Sequence, residues 1–467
     1  MEQNENEILG QEKIPKLLLK FSIPCVLSLL ISSLYNLVDQ IFIGNSRLGF
    51  LGNGATGVVF PVIVICQAFA WFFGDGSAAY LSICQGRKDT VRASKAIGTC
   101  FSLTLVISVV LMMVSLFLMD PILSWFGASE NTMPLAKEYL FILAFFFPCF
   151  MITNMFECDI RADGSPLFSM MATGSGAIIN IILDPIFIFV FDMGMKGAAI
   201  ATVIGQVISM IICLCYLPKS KTFHLTMKDM IPNLKEAKEA FALGISTFIT
   251  QIAIVVVSLT CNKVLTNYGA LSKYGNDIPL SIMAIQTKVF TIVVNIVVGI
   301  VLGSQPIIGY NMGAGKIDRV KKTYFLILVC TLVVGLLFTV LFVFFPKAVL
   351  MIFGSVDDDL YVEFGEKFFR IFLCTITLCC FIKMSGIFFQ AVGHPVEAIL
   401  ASLCRDILVF VPMLMLLAYL GERQEAGNGI NLCLYAPIIA DVVGFTISLV
   451  LTVLLFRKME KKKKESL

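Results

Sequence analysis

The sequence is poor in charge. Asp, Glu, Lys and Arg make up 14% of its 467 residues, against about 25% in soluble globular domains. It has two histidines, His224 and His394, which lie far apart in predicted loops and are too few for a metal pair. None of its 15 cysteines forms a C-x-x-C pair. These shortages argue against an ordinary soluble domain, a zinc site and a disulfide framework.

The chain also lacks the alternating hydrophobic pattern that marks the strands of a membrane β-barrel. What it has is 58% hydrophobic residues and a mean hydropathy of +0.90. Its polar residues interrupt apolar runs of about 20, the length that crosses a bilayer as a helix. We therefore predict an all-α polytopic membrane protein with about twelve transmembrane helices. The predicted spans are 17–43, 55–82, 95–119, 137–160, 167–191, 197–217, 238–266, 279–307, 322–345, 363–390, 396–420 and 431–456.

The distribution of basic residues predicts the orientation of these spans. One set of span ends carries 23 of the 35 Lys and Arg residues and the opposite set carries nine. Loops rich in Lys and Arg stay in the cytoplasm. We expect a multi-pass protein of the bacterial cell (inner) membrane with both termini cytoplasmic. Lys288, Lys383 and Arg405 fall inside predicted spans.

Two pairs of segments indicate an internal repeat. Residues 86–92 (GRKDTVR) correspond to 315–321 (GKIDRVK), and residues 161–166 (RADGSP) correspond to 390–395 (QAVGHP), both at a separation of 229 residues. Each half holds six spans, so the two copies share one orientation, as in transporters built from two parallel bundles.

The repeat also predicts how the chain divides into lobes. We predict an N-terminal six-helix lobe over 1–217, a cytoplasmic inter-lobe loop over 218–237, and a C-terminal six-helix lobe with a basic tail over 238–467.

Several polar residues of the first half are predicted to lie at one depth in the membrane. An acid inside a span is costly and marks a functional site by default. Tyr35 and Asp39 are four residues apart and share a helical face, as do Asn180 and Asp184. Thr202 lies about one turn into the next span. We expect these five side chains to meet in one pocket.

Such a pocket has the chemistry of an ion-coupling site. Two carboxylates in a poorly solvated pocket do not both stay ionised cheaply, so we expect one to hold a proton. The same oxygens would also suit sodium, which leaves H⁺ and Na⁺ both open as coupling ion. A third interpretation is a buried polar network that fixes helix packing. Pro24, in the helix of Asp39, is a candidate hinge.

The second half keeps the architecture without this acid pair. It carries Lys383, Arg405, Asp406 and Asp441 inside its spans, and we favour ion-paired packing for this group. A role in the substrate path is the alternative. The candidates for that path are Asn154, Gln286, Lys383 and Asp441.

One glycine-rich segment, residues 309–315 (GYNMGAG), resembles a nucleotide-binding loop. No strand precedes it and no Walker lysine and threonine close it. We interpret it as a flexible cytoplasmic turn and expect no nucleotide, no nucleic acid and no cofactor. Energy for transport would then come from an ion gradient.

The chain resembles the MATE (multidrug and toxic compound extrusion) transporters, and within them the DinF-type branch with its MepA-like members. The resemblance rests on residues 74–86 (GDGSAAYLSICQG), on 305–315 (QPIIGYNMGAG) and on the two Ala-x-Gly-x-Pro turns. It implies a two-lobed antiporter of twelve helices. It also implies ion coupling at Asp39, Asn180, Asp184 and Thr202 and a bending first helix at Pro24. The acids that the NorM-type branch carries in its C-terminal lobe are not evident.

The resulting expectation is a secondary active multidrug efflux antiporter, not an enzyme. It would export small organic cations or amphipathic drugs in exchange for inward protons or sodium, as a monomer in the lipid bilayer. A lipid-linked oligosaccharide flippase of the same superfamily is the first alternative, although it would be expected to carry more Arg and Lys within its spans. A membrane-embedded enzyme is the second, although no paired metal or nucleophile pattern supports it.

Overall fold

The computed structural model describes residues 7–226, 228–275, 277–352 and 359–465, and the regular structure in these ranges is helical. In the first half the helices are α1 (Glu7–Gln11), α2 (Ile14–Asn45), α3 (Gly49–Arg87), α4 (Thr90–Phe117), α5 (Met119–Trp125), α6 (Met133–Phe145), α7 (Phe147–Ala162), α8 (Pro166–Pro185) and α9 (Gly194–Tyr216). In the second half they are α10 (Leu234–Ala270), α11 (Asp277–Gly313), α12 (Ile317–Phe344), α13 (Pro346–Ile352), α14 (Asp359–Phe372), α15 (Ile376–Val392), α16 (Pro395–Leu403), α17 (Val411–Gln424), α18 (Gly429–Cys433) and α19 (Ala436–Glu465).

The prediction of an all-α polytopic protein is confirmed. Among the described residues, ten helical segments are long and apolar enough to cross a membrane, or twelve if each of two bent pairs forms one span. The bent pairs are α6 with α7, at 59°, and α14 with α15, at 47°. Predicted spans 137–160 and 363–390 are thus each interrupted. The first break precedes Pro148, whose ring cannot continue the hydrogen bonding of α6.

The described helices form two compact units. Unit 1 contains residues 1–251, 302–319 and 390–393, and unit 2 contains residues 252–301, 320–389 and 394–467. The core of unit 1 combines small residues such as Ala78, Ala79 and Ala96 with large ones such as Phe156. Large apolar side chains such as Phe117 and Val190 are exposed, as expected for lipid-facing helices. The lobe boundaries predicted at 217 and 238 stay a prediction.

Glycines let the helices of unit 1 approach to backbone contact. A Cβ atom added at Gly244 of α10 would lie 1.8 Å from the Phe72 carbonyl oxygen of α3. One added at Gly76 of α3 would lie 2.3 Å from the Ala240 carbonyl oxygen. Small residues have the same role in other membrane proteins. Lipid is as apolar as the helix surfaces, so the helices associate through close van der Waals packing and not through the hydrophobic effect.

Only the end of the segment 309–315 forms the turn predicted from the sequence, with Gly315 at φ 71°. Its first five residues continue α11, and the Asn311 amide donates to the Leu9 carbonyl oxygen at 3.0 Å. The Arg319 guanidinium donates to the carbonyl oxygens of Leu9 and Glu12 at 3.1 and 2.7 Å. Lys316 donates to the Gly10 carbonyl oxygen at 3.0 Å. These donors satisfy the carbonyls that the short helix α1 leaves free at its end, which is why this glycine-rich segment is ordered.

The predicted inter-lobe loop is also held in place within unit 1. The Asp163 carboxylate accepts from the Lys221 and Thr222 backbone amides at 2.7 and 3.0 Å. The Asn233 backbone amide donates to the Thr99 hydroxyl of α4 at 3.1 Å. Phe223 is fully buried. This connection therefore packs against the helix bundle along much of its length.

The contact at Gly244 generates a stability prediction. Replacing Gly244 with Ala should lower the midpoint of thermal unfolding in detergent, because overpacking costs about 1–3 kcal/mol. The matched control is Gly57→Ala in α3, where an added Cβ would meet nothing within 4 Å. Alanine is the better helix former by about 1 kcal/mol, so the control should be neutral or stabilising. Equal midpoints for the two variants would contradict the close crossing.

Candidate functional site

The site begins with a close crossing of α8 and α9. A Cβ atom added at Gly176 would lie 2.7 Å from the Gly205 carbonyl oxygen, and one added at Gly205 would lie 2.6 Å from the Gly176 carbonyl oxygen. The next polar residue along α8 is Asn180, one turn on, and Thr202 lies one turn before Gly205 on α9. The crossing brings the Asn180 amide nitrogen to 3.4 Å from the Thr202 hydroxyl.

Two carboxyl groups meet beside this amide. Asn180 donates to Asp184 Oδ1 at 3.2 Å, within α8. Asp39 of α2 lies close enough to Asp184 for the two side chains to interact electrostatically. Asp184 is fully buried and Asp39 is 7% exposed. The five residues predicted to share a depth in the membrane are thus placed in one region of unit 1.

The acid pair is incompletely satisfied. Asp39 Oδ1, Asp184 Oδ2 and Asn180 Oδ1 are buried and have no hydrogen-bond donor among the described residues. Buried polar oxygens are normally paired, and each exception calls for an explanation. A proton held by one acid, or a bound cation, would supply what these oxygens lack.

A small cavity of about 50 Å³ adjoins Asp39. Its walls come from α2, α3, α6, α7 and α9, and its lining residues are Tyr35, Asn36, Asp39, Ile63, Tyr139, Leu143, Phe147, Phe150, Thr202 and Gln206. A water molecule needs roughly 10–15 Å³ of such space, whereas pockets for organic ligands measure about 300–1,000 Å³. The cavity therefore suits water or a small ion and is too small for a drug.

Tyr139 is a member of this site that the sequence reasoning missed. It is 5% exposed, and it lines the cavity together with Thr202. The same depth argument that selected Thr202 applies to Tyr139, which lies near the start of the span predicted at 137–160. Aromatic residues in a span also pack between helices or face lipid, so Tyr139 carried no distinct signal.

A second buried polar group in unit 1 was also missed. Glu157 accepts from the Thr173 hydroxyl at 2.7 Å, and Asp159 accepts from the Ser77 hydroxyl at 2.7 Å. Asp75 lies 3.7 Å from the Arg161 guanidinium. The sequence signal was present, because these acids fall in or at the ends of predicted spans. An acid near the cytoplasmic end of a span can equally well be exposed to solvent, so depth alone did not identify these acids as buried.

The charged residues of the second half are ion-paired within unit 2. Lys383 Nζ lies 2.8 Å from Asp406 Oδ2, and Arg405 Nη1 lies 2.6 Å from Asp406 Oδ1. Arg405 Nε lies 2.8 Å from Asp441 Oδ1. The expected ion pairing is therefore present, while a place for Lys383 or Asp441 in a substrate path stays a prediction.

The remaining candidates are placed as follows. Pro24 lies inside α2, which is helical without a break from Ile14 to Asn45. The Asn154 amide donates to the Phe150 carbonyl oxygen at 2.8 Å, one turn back in α7. Gln286 is buried in α11, at 4% exposure. The hinge role of Pro24 and the substrate-path role of Asn154 and Gln286 stay predictions.

Comparison with known proteins gives one family and close structural relatives. The family model described as MatE matches the chain twice, at residues 24–186 and 247–416, in agreement with the internal repeat. The multidrug export protein MepA of Staphylococcus haemolyticus (strain JCSC1435) is 29% identical over 331 residues, which cover 69% of this chain and 70% of that protein. The protein of the same name from Staphylococcus aureus (strain MSSA476) is 29% identical, over 65% of this chain and 66% of its own length.

Among solved structures, a mutant of the MATE transporter VcmN of Vibrio cholerae superposes with a TM-score of 0.84 at 20% identity. The match covers 96% of this chain and 97% of that one. At this identity the likeness concerns the fold, and it agrees with the helical architecture described above.

The hydrogen bond from Asn180 to Asp184 generates a prediction about stability. Replacing Asn180 with Leu should lower the thermal unfolding midpoint in detergent, because leaving a buried carboxylate without its donor costs about 1–3 kcal/mol. The control is Asn154→Leu, which removes a donor from a backbone carbonyl oxygen of α7 and from no carboxylate. We expect the first variant to lose clearly more stability than the second. A loss at Asn154 equal to or larger than the loss at Asn180 would contradict the geometry.

Proposed function

The chain belongs to the MatE family, and on that premise we propose that it is a secondary active exporter of small organic cations and amphipathic drugs. Two export proteins that resemble it carry multidrug export in their names. Alignments over about two thirds of those proteins make their activity a guide for this chain. We propose a transporter function rather than an enzymatic one, since the family's known members that match here are transporters.

We propose that Asp39 and Asp184 bind the coupling ion. The observation that carries this proposal is a pair of buried carboxyl groups, each with one oxygen that lacks a donor among the described residues. Asp39 also lines a cavity large enough for a small ion. Two carboxylates in poorly solvated surroundings repel each other, so binding of one positive charge between them is favourable. A proton shared by the two acids removes this repulsion, and we propose the proton as the coupling ion. Sodium is the alternative, because the same oxygens suit a hard cation.

Each neighbour has a role in this proposal. Asn180 offers a donor to ionised Asp184 and an oxygen to a protonated acid, so it supports both protonation states. The hydroxyl groups of Thr202, Tyr35 and Tyr139 can donate or accept in the same way. Asp39 and Pro24 both lie on α2, and Pro24 has no N–H to donate within that helix. A change of charge at Asp39 therefore acts on a helix that can bend at Pro24. We propose that this helix bends when the ion binds.

The energy available is adequate for export. One inward positive charge yields about 2.3 kcal/mol per 100 mV of membrane potential, and a concentration gradient of the ion adds to this. Since a tenfold gradient of substrate corresponds to about 1.4 kcal/mol, one such charge would support more than tenfold accumulation of a neutral substrate. Exchange of one proton for one monovalent organic cation moves no net charge, so in that case the concentration gradient of the ion supplies the energy. The proposal includes cytoplasmic termini, a monomeric exporter, and alternating access between two lobes.

The first functional test replaces Asp39 and Asp184 separately with Asn in proteoliposomes. Each variant keeps the size of the side chain but cannot exchange a proton. We expect drug-driven proton release to fall by at least about tenfold in both, because one acid then has no partner for ion exchange. The measurement is the fluorescence of a pH indicator trapped in the vesicles.

The control for this test is Asp120→Asn. Asp120 is 65% exposed and pairs with Lys137 at 2.7 Å, so its loss should leave coupled transport intact. Thermal unfolding of each variant shows that the fold is retained. Undiminished proton counter-transport in Asp39→Asn or Asp184→Asn would rule out the coupling assignment.

A further inference from the structure

The ion-paired group of unit 2 has a simple charge balance. Lys383 and Arg405 carry two positive charges, and Asp406 and Asp441 carry two negative ones. All four side chains are at most 15% exposed. Removing one partner of such a buried set leaves an uncompensated charge, which is strongly destabilising.

Every carboxylate oxygen in this group has a partner. Asp406 accepts from Arg405 and Lys383, one at each oxygen. Asp441 Oδ1 accepts from Arg405 Nε at 2.8 Å, and Asp441 Oδ2 accepts from the Thr375 hydroxyl at 2.6 Å. The contrast with Asp39 and Asp184 is direct, since those acids have unpaired oxygens and no lysine or arginine bonded to them within the described residues.

The two cations are held differently. Arg405 bridges both acids through its planar guanidinium, and its stem fits against Gly444, where an added Cβ would lie 2.9 Å from Arg405 Cβ. Lys383 makes one contact, with Asp406, at the end of a flexible four-carbon stem. A lysine ammonium is a compact, strongly hydrated point charge, unlike the fixed fork of arginine. Lys383 is thus the member of the group that resembles a bound monovalent cation.

The local backbone sets this group apart from ordinary packing. Arg405 and Asp406 lie in Cys404–Phe410, a π-helical segment between α16 and α17. Such segments are rare and often occur at functional sites. Thr375 lies at the 47° break between α14 and α15, and Lys383 lies on α15. The group therefore joins a helix break, a π-helical segment and α19 around one set of charges.

We propose that Asp406 forms a monovalent-cation site that is permanently occupied by the ammonium group of Lys383, while Arg405 neutralises Asp441. The second half of the chain thus carries its counter-ion covalently. It needs no ion from solution, and Asp406 and Asp441 do not exchange protons or sodium during transport. Because the site involves only the chain's own charges, its test does not require any transported substrate.

The test is Lys383→Met, which leaves the group with one negative charge in excess. Sodium should then replace the missing ammonium. We expect the thermal unfolding midpoint of the purified variant to be about 3 °C or more higher in NaCl than in choline chloride. The sodium-dependent shift of the native protein is measured in parallel and should be smaller. Retention of radioactive sodium by the immobilised protein should increase in the variant relative to the native chain.

Two further variants make the result specific. Lys383→Met combined with Asp406→Asn restores neutrality, so its sodium response should return to that of the native protein. Lys288→Met removes the same charge from an exposed position of α11, and its response should match that of the native protein.

Three results would overturn the proposal. The first is a sodium-dependent shift in Lys383→Met that is no larger than that of the native protein. The second is a shift that persists in the double variant. The third is a shift in Lys288→Met that equals the shift in Lys383→Met. If the single variant cannot be purified even in NaCl while the double variant is stable, sodium does not replace the ammonium, and the proposal is likewise overturned. Failure of both would show that Lys383 is required for packing and would overturn it.

Discussion

A carboxylate inside a membrane must have a proton, a cation or a set of donors, and this requirement organises the two halves of the chain. Its effective cost on insertion is a few kcal/mol per charge. In unit 1, Asp39 and Asp184 lie together with no lysine or arginine bonded to them among the described residues, and one oxygen of each is unpaired. In unit 2, Asp406 and Asp441 are neutralised by Lys383 and Arg405. The repeat thus preserves the helices while the two copies satisfy their acids by different means.

Both sites depend on glycines, which allow neighbouring helices to approach closely. Gly176 and Gly205 bring α8 and α9 close enough for Asn180 to reach Thr202. Gly444 gives Arg405 the space to bridge two acids on different helices. A Cβ atom added at any of these three positions would lie 2.9 Å or less from a neighbouring atom, so its neighbours would have to shift. The polar chemistry of the protein therefore depends on residues that carry no polar side chain.

The features that could be predicted from the sequence follow from periodicity and depth. Apolar runs of about 20 residues give the helices, and equal depth brings Tyr35, Asp39, Asn180, Asp184 and Thr202 into one region. The break before Pro148 was less accessible, because membrane helices also tolerate proline without breaking, as α2 does at Pro24. Tyr139 escaped prediction because an aromatic residue in a span has several possible roles. The order in 309–315 depends on Leu9 and Glu12, which lie in the first turns of the chain, and no local pattern reveals so distant a contact.

The claim that the acid pair of unit 1 exchanges the coupling ion is tested most directly by imposing one ion gradient at a time. Proteoliposomes containing the native protein would be loaded to create a proton gradient without sodium, or a sodium gradient at constant pH, and the accumulation of one fluorescent organic cation would be followed. The account predicts that the proton gradient alone drives accumulation and that this is lost in the Asp39→Asn/Asp184→Asn double variant. The claim would be contradicted if accumulation under both gradients were no greater than in protein-free vesicles. It would also be contradicted if accumulation persisted in the double variant.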